Sequence, residues 1–267
     1  MSAFPSPGPL ADKRDAPSTR QAPTEFRPCV LIPTYNNART IRRVVDRVRA
    51  HTPHVIVIDD GSAGEGRTEV AAIGREGLAH VFHREINGGK GAAVKTGFDA
   101  AHALGFSHAL QVDADGQHAL DDIPAFLATA SQHPDSVVLG YPVFDESVPH
   151  SRLIGRKITI FWTLIETFGQ VIRDPMCGFR VYPLASCRGV ATGTRMEFDI
   201  EIAVRLVWKG VGVVNVPTRV RYPSAAEGGV SHFRLFRDNL AITWLHTRLV
   251  FEAILGLPRR ATRGLLR

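Results

Sequence analysis

From Cys29 onward the chain alternates short apolar runs with stretches whose apolar residues recur at three- and four-residue intervals. The runs at 29–32, 55–58, 79–82, 108–112 and 137–139 have the length and content of buried strands. Between the first two, Ile41, Val44, Val45 and Val48 keep helical spacing while Arg42, Arg43, Arg47 and Arg49 take the other faces. Between the third and fourth, Val94, Phe98, Ala101 and Leu104 repeat that spacing. Strand, helix and strand in this succession predict an α/β fold with a doubly wound, mostly parallel sheet and helices on both faces.

The residues that follow the strands carry more chemistry than the strands. They are Pro33, Thr34, Tyr35, Asn36 and Asn37, then Asp59, Asp60, Gly61 and Ser62, then Asn87 to Gly91, then Asp113, Ala114, Asp115, Gly116, Gln117 and His118. In a parallel sheet all four loops fall on the carboxyl edge, where open α/β sheets hold ligands. Asp113 and Asp115 crowd two negative charges together, which calls for a cation. Hard oxygen donors suit Mg2+ or Mn2+, with Asp113, Asp115 and Gln117 as the expected ligands. Asp60 could accept hydrogen bonds from a base or ribose, and Tyr35 could lie beside a ring. Gly88, Gly89 and Gly91 allow backbone amides close to phosphate, with Lys90 as a compact positive charge. Each loop taken alone reads equally as an ordinary strand-end turn. Lys90 is followed by Gly91 rather than Ser or Thr, which excludes a Walker loop, and 61–66 lacks the dinucleotide Gly-x-Gly-x-x-Gly spacing.

The 267 residues suffice for one large domain, and a formal net charge of +6 points to an anionic partner. Cys29, Cys177 and Cys187 are isolated, so neither a zinc site nor a disulfide framework is expected, and a reducing cytoplasm is the default. Residues 1–27, rich in Pro and Ser, read as a disordered tail without the pattern of a secretory signal.

Beyond Gly140 the pattern changes. Ile154, Ile158, Phe161, Ile165, Phe168 and Ile172 make one helical stripe over 152–172, with Arg152, Arg156 and Lys157 near its start. It is too apolar for a plain surface helix and, interrupted by Glu166, too short for a membrane span. A helix in the membrane interface fits, as do a core helix and a dimer contact. Asp174 to Arg180 could place Arg180 on a phosphate and use Asp174 to orient it or as a base. Asp199 and Glu201 open a further helix. A last strand at 213–217 leads to Arg219, Arg221 and a basic glycine loop holding Ser231, His232 and Arg234. The tail with Phe236, Leu240, Trp244, Phe251 and Ile254 again reads as interfacial. No interleaving of aromatic and basic residues suits nucleic acid.

The ordered set Ile32-Pro33-Thr34-Tyr35-Asn36, Asp59-Asp60-Gly61-Ser62, Asn87-Gly88-Gly89-Lys90-Gly91 and Asp113-Ala114-Asp115-Gly116-Gln117-His118 resembles glycosyltransferase family 2, the inverting GT-A enzymes. Within it the dolichyl- and polyprenyl-phosphate sugar synthases are the nearest in pattern, over about 29–222. The resemblance implies that Pro33, Tyr35 and Asp60, with Thr34, Asn36, Gly61 and Ser62 around them, hold the nucleoside. Asp113, Asp115 and Gln117 would take the metal and diphosphate, with Gly89, Lys90 and Ala114 as further substrate contacts. Asp174-Pro175-Met176-Cys177-Gly178-Phe179-Arg180 resembles the family's acceptor-side Asp-x-x-x-Gly-Phe-Arg segment. The loop 228–234 resembles a Gly-x-Ser-Lys loop with His232 in place of Lys, Arg234 supplying charge. Asn37 stands where the family usually has Glu, which leaves the donor base open.

The expected protein is a metal-dependent hexosyltransferase, peripheral to the cytoplasmic membrane face. Its donor is a nucleotide-diphosphate sugar and its acceptor a lipid, with polyprenyl phosphate placed by Arg152, Arg156, Arg180 and Arg234. The organisation is a tail (1–27), a GT-A domain (28–225, with halves 28–140 and 141–225) and a basic loop with an amphipathic C-terminal helix (226–267). A hydroxyl acceptor would instead require Asp174 or Asp199 as base. Two other classes also fit parts of the chain: a haloacid-dehalogenase-type phosphatase with Asp113 as nucleophile, and a silent lipid- or nucleotide-binding module.

Overall fold

A computed structural model describes residues 25–144, 148, 150–220 and 235–264, with the backbone alone at 150–152, 235–237 and 257–264. In chain order the elements begin with β1 (Pro28–Thr34), α1 (Ile41–Arg49), β2 (Val55–Asp59), α2 (Gly64–Arg75), β3 (His80–His83), α3 (Lys90–Ala103) and β4 (His108–Gln111). They continue with α4 (Ile123–Gln132), β5 (Ser136–Phe144), α5 (His150–Glu166), β6 (Arg180–Pro183), α6 (Leu184–Cys187), α7 (Phe198–Trp208), β7 (Gly212–Val220) and α8 (Leu235–Gly264).

The strands form one sheet in the order β3-β2-β1-β4-β6-β5-β7. β6 runs antiparallel to both neighbours, setting Gln111 opposite Arg180 and Leu139 opposite Arg180, while every other pairing is parallel. The carboxyl ends of β1, β2, β4 and β5 therefore share one edge with the start of β6. This is an α/β fold with a mixed, mostly parallel sheet and helices on both faces, consistent with GT-A.

Because strand side chains alternate, β1 sends Cys29 and Leu31 to one face and Val30 and Ile32 to the other, and β2 divides Ile56 and Ile58 from Val55 and Val57 in the same way. One core, with Val94, Phe98, Phe198 and Ile202, lies under α3 and α7; the other, with Ile41, Val44, Ile73 and Phe126, lies under α1, α2 and α4. A third cluster joins Ile200 and Val204 of α7 to Ile242, Leu245 and Leu249 of α8. All three cysteines are free and buried, and burial pushes each thiol up to about 12.

Several elements differ from the pattern-based reading. β6 and α2 carry no clear periodicity, and α4 follows a turn that the pattern does not mark. The apolar stripe of 152–172 stops being a helix at Glu166. Phe168 and Gly169 take positive φ, 54° and 89°, which ends the helix and turns Ile172 into the core. Phe26 and Arg27, read as tail, lie against the domain, with the Arg27 amide donating to Ser107 Oγ at 2.8 Å. Residues 1–24 lie outside the described residues, as do Arg221, Ser231, His232 and Arg234; the side chain of Arg152 does so too.

α5 is inverted relative to an ordinary amphipathic helix. Its buried face is polar, with Thr159, Thr163 and Glu166, while Ile154, Ile158, Phe161, Trp162, Leu164 and Ile165 are exposed. The threonine hydroxyls donate to carbonyls one turn back, and Glu166 pairs with His246 of α8 at 2.7 Å. Burial, followed by the opposing influence of His246, leaves the Glu166 carboxyl above its usual range. No helix among the described residues is long and apolar enough to cross a membrane.

His108, buried in β4 between Ser107 and the Pro134 carbonyl, has its imidazole held below its ordinary value of 6.5, burial outweighing Pro134 and Asp135. The folded chain then binds fewer protons at this site than the unfolded chain, so its contribution to stability is lost as pH falls through about 6.5. Denaturant unfolding from pH 7.5 to 5 is expected to show a steeper stability loss for the native chain than for His108→Gln; parallel curves for the two would contradict this.

Candidate active site

Four loops and two helix starts meet at the carboxyl edge. β1 and β2 are tied together where Asp60 N donates to the Thr34 carbonyl (2.9 Å) and Asn36 N donates to Ser62 Oγ (2.8 Å). Asn36 sits at φ 55°, and its Oδ1 accepts the Ala63 amide. Pro33 and Thr34 are buried, and Tyr35 stands partly exposed beside them. Gly61, at φ 76°, lets the β2 loop run against the Asn87 amide; a Cβ there would sit 2.7 Å from that nitrogen.

Asp60 is buried rather than open to a ligand. Its carboxylate accepts the Gly88 amide at 3.0 Å and the Gly89 amide at 2.7 Å, and pairs with Arg84 Nε at 2.8 Å. Two of the amides expected to face phosphate are thus held by Asp60 itself. Asp59, wholly buried, accepts the Ser62 amide and meets His83 Nδ1 at 2.8 Å.

The next residue, Lys90, is the hub. Its Nζ lies 2.8 Å from Asp113 Oδ1, 3.0 Å from Oδ2, and 2.8 Å from Asp199 Oδ2 at the start of α7. Burial opposes its charge, but Asp113 and then Asp199 more than offset that and hold the ammonium well above its ordinary range. Burial likewise opposes ionisation of Asp113; Lys90 and His118 reverse the effect and keep the carboxyl well below its usual range. His118 Nε2 stands 3.5 Å from Asp113 Oδ2, its ring 5.3 Å from that of Phe179. Gln111, the polar residue in β4, donates to Asp199 Oδ1 at 3.3 Å. Gly178 closes the other side: a Cβ there would lie 2.7 Å from Lys90 Nζ and would overlap Asp113 Oδ2.

Asp115 is in a different state. Burial and then the charge of Asp113 raise its carboxyl above the usual range, and it accepts the Gln117 amide at 3.0 Å across the turn made by Gly116 at φ 75°. Thr40 fixes the same turn by donating to the Ala114 carbonyl at 2.7 Å. No salt bridge reaches Asp115 among the described residues. Its donor set fits a hard divalent cation, because a cation would relieve a crowded carboxylate that lacks one. No group of three or more His, Cys, Asp or Glu side chains suited to a metal occurs among the described residues. One or two carboxylates completed by phosphate oxygens and water is, however, the usual environment of Mg2+ in phosphate sites.

The acceptor-side residues are placed as structure. Arg180 is wholly buried and donates to the carbonyls of Pro175 (2.6 Å), Cys177 (2.5 Å) and Asp199 (2.5 Å). It therefore anchors the 174–180 turn to α7 rather than lying open to a phosphate. Asp174 accepts the Met176 and Cys177 amides at 2.8 Å and pairs with Arg156 of α5. Sequence reasoning brought Asp113, Asp115 and Lys90 to one edge. It missed the inward use of Asp60, the parts of His118 and Gly178, and the bond of Gln111. Gln111 left a signal as an amide inside an apolar run, and His118 and Gly178 stood in the motifs that carry the family resemblance.

A mixed sheet of this order with paired carboxylates after β4 is consistent with the GT-A fold. The chain belongs to glycosyl transferase family 2, whose model matches residues 29–188, and is a glycosyltransferase. The acidic loop follows the fourth strand of that domain, and the phosphatase and non-enzymatic readings fall with this match. The chain is 31% identical over 206 residues to a polyprenol monophosphomannose synthase of Mycolicibacterium smegmatis, covering 73% of this chain and 77% of that protein. It is 23% identical over 208 residues to an undecaprenyl-phosphate mannosyltransferase of Micrococcus luteus, covering 72% and 82%. In fold it is similar to glucosyl-3-phosphoglycerate synthase from Mycobacterium tuberculosis in complex with Mn2+ and UDP-glucose, with a TM-score of 0.61, 17% identity, and 87% and 79% of the two chains covered.

Replacing Lys90 by Met leaves Asp113 and Asp199 facing each other without their cation. Breaking a buried pair in this way costs about 3 kcal/mol. Urea unfolding of Lys90→Met at neutral pH is expected to show that loss, and a midpoint unchanged from the native chain would refute the bridging role.

Proposed function

We propose that this protein transfers a hexose, with inversion, from a nucleoside diphosphate sugar to a polyprenyl phosphate at the cytoplasmic face of a membrane. The observation that carries the reading is the Asp113–Lys90–Asp199 bridge beside Asp115, which no salt bridge reaches among the described residues, on the carboxyl edge of the sheet.

In this reading Asp113 and Asp115 hold Mg2+ or Mn2+ against the donor diphosphate. The bound ion supplies Lewis-acid neutralisation of the departing nucleoside diphosphate. Lys90 keeps Asp113 ionised, and Asp60 fixes the glycine loop through the Gly88 and Gly89 amides. Pro33, Tyr35 and the turn at Asn36 form the wall for the nucleoside. The two candidate bases are committed to cations, Asp174 to Arg156 and Asp199 to Lys90. That supports an acceptor whose attacking oxygen is already anionic and needs no base. Two of the proteins named above carry polyprenol monophosphomannose and undecaprenyl phosphate in their names, which supports the same class.

The exposed apolar faces of α5 and α8 support docking on lipid. Trp244 is 68% exposed and Leu255 76%, beside Leu240, Phe251 and Ile254 of the same helix and the outward stripe of α5.

Calorimetric titration with UDP and GDP, with and without Mn2+, is expected to show one nucleotide binding more tightly when the ion is present. Asp115→Asn should weaken that complex about tenfold. Undecaprenyl phosphate in detergent should accept radiolabelled sugar, and Asp174→Asn should retain turnover. Trp244→Ser with Leu240→Ser should lower flotation with anionic phospholipid vesicles and leave nucleotide affinity unchanged. Nucleotide binding indifferent to Mn2+, or turnover abolished in Asp174→Asn with donor binding intact, would speak against this assignment.

A further inference from the structure

Glu201 lies on α7 two residues beyond Asp199 and is wholly buried, yet it touches none of the carboxylates at the edge. Its Oε2 accepts the Gly193 amide at 2.6 Å and the Thr192 amide at 3.1 Å, and its Oε1 accepts the Thr192 hydroxyl at 3.0 Å. Arg205 Nε at 2.8 Å and Arg248 of α8 at 2.7 Å balance the charge. Burial opposes its ionisation, but the Gly193 amide and then Arg205 prevail and hold the carboxyl below its usual range.

The loop it grips is the one against which the glycine loop is seated. Thr194 O accepts the Ala92 amide at 2.9 Å in the first turn of α3, and Lys95 Nζ donates to the Gly193 carbonyl at 2.9 Å. The two backbones meet without side chains between them. A Cβ on Gly89, which sits at φ 95°, would lie 2.6 Å from Thr194 O, one on Gly193 would lie 2.9 Å from Glu201 Oε2, and one on Gly91 would overlap Phe198. Lys90 stands between Gly89 and Gly91. Its height above Asp113 is therefore set by where the 192–195 loop rests, and that loop rests on Glu201 through Thr192 and Gly193 and on Glu197 through the Thr194 and Arg195 amides, each 3.1 Å from Glu197 Oε1.

We infer that Glu201 is a positioning residue for the donor site, acting through Thr192–Arg195 on the Gly89–Gly91 segment that carries Lys90. The inference rests on the assignment of that edge to a nucleoside diphosphate, and it adds that α7 acts on Lys90 twice, directly through Asp199 and at one remove through Glu201. Arg248 extends the chain of contacts to α8, the helix with the exposed apolar face.

Two measurements on the full chain test it. Amide hydrogen exchange is compared among the native protein, Glu201→Gln, and Ile73→Val, a core variant under α2 that serves as a general destabilisation control. Thr192→Val removes one of the loop's contacts without touching the core, and Thr192→Ser keeps it. UDP and GDP are then titrated in Mn2+ well below the melting temperature. Faster exchange confined to residues 89–95 and 192–195 in Glu201→Gln is expected, absent from Ile73→Val, with nucleotide affinity lowered about tenfold. Thr192→Val should show the same pattern more weakly, and Thr192→Ser should restore it. Exchange that rises evenly over the sheet and all helices, or nucleotide affinity equal to native in a folded Glu201→Gln, overturns the inference. If the native protein binds neither nucleotide, the donor assignment fails, while unchanged local exchange would still overturn the positioning role by itself.

Discussion

The ammonium of Lys90 between Asp113 and Asp199 is the contact on which the site depends. It joins the start of α3, the loop after β4 and the start of α7, three elements that are remote in sequence. Asp199 is buried and Asp113 half-buried, and carboxylates brought this close repel strongly at low effective dielectric, so neither loop could settle at the edge without a cation between them. The backbone makes room for it. Gly178 has no side chain where Lys90 and Asp113 meet, and Gly89 and Gly91 let the glycine loop close on the 193–195 segment and Phe198. Arg180 completes the frame by tying three carbonyls together from beneath, one of them that of Asp199. Large parts of the polar chemistry at this edge thus serve to hold a few exposed atoms in place.

The second constraint is the inverted face of α5. Burying Thr159, Thr163 and Glu166 while leaving Ile154, Phe161 and Trp162 outside is unfavourable in water, because the helix then forgoes the burial that normally holds an amphipathic helix to its domain. The polar face is made tolerable locally, the hydroxyls bonding within the helix and Glu166 pairing with His246. The outward face gains only if something apolar covers it. α8 presents a similar surface through Trp244, Phe251 and Leu255 while its other side, with Leu245 and Leu249, packs on α7. The two helices are neighbours, so their exposed faces add rather than scatter.

How much of this was legible in the sequence follows from what each signal reports. β1, β2 and β4 were visible because both sheet faces are covered, which makes each strand a continuous apolar run. β6 was not, since its four residues begin with Arg180, a charge buried through carbonyl partners that no local pattern shows. α2 was diluted by Gly64, Gly66 and Gly74. Periodicity located the apolar stripe of α5 but gave no sign of which way it faces, because a stripe reports an angle and the burial of its opposite side is a tertiary fact. The same limit applies at the site. The strand-end rule gathered Asp60, Lys90, Asp113 and Asp115 at one edge, but the second partner of Lys90, Asp199, stands 109 positions later, and Asp60 was free in sequence to face outward or inward. It faces inward because the Gly88 and Gly89 amides would otherwise lack acceptors beside a buried carboxylate.

Charge balance at the edge explains why the two acidic residues after β4 differ. Among the described residues Asp113, Asp115 and Asp199 draw on the ammonium of Lys90, with the buried guanidinium of Arg180 behind Asp199 and His118 beside Asp113. Lys90 is shared by Asp113 and Asp199, and the deficit falls on Asp115, whose carboxyl is accordingly shifted toward the protonated form. A diphosphate approaching this surface unaided would meet net repulsion from side chains that cannot move away, since Asp60, Arg180 and the glycines fix their loops. In the proposed reading a divalent cation would offset that repulsion at one point, and hard oxygen donors suit it. In that reading the roles of lysine and metal separate: Lys90 would maintain the site whether or not donor is present, whereas the metal's charge would arrive with the donor.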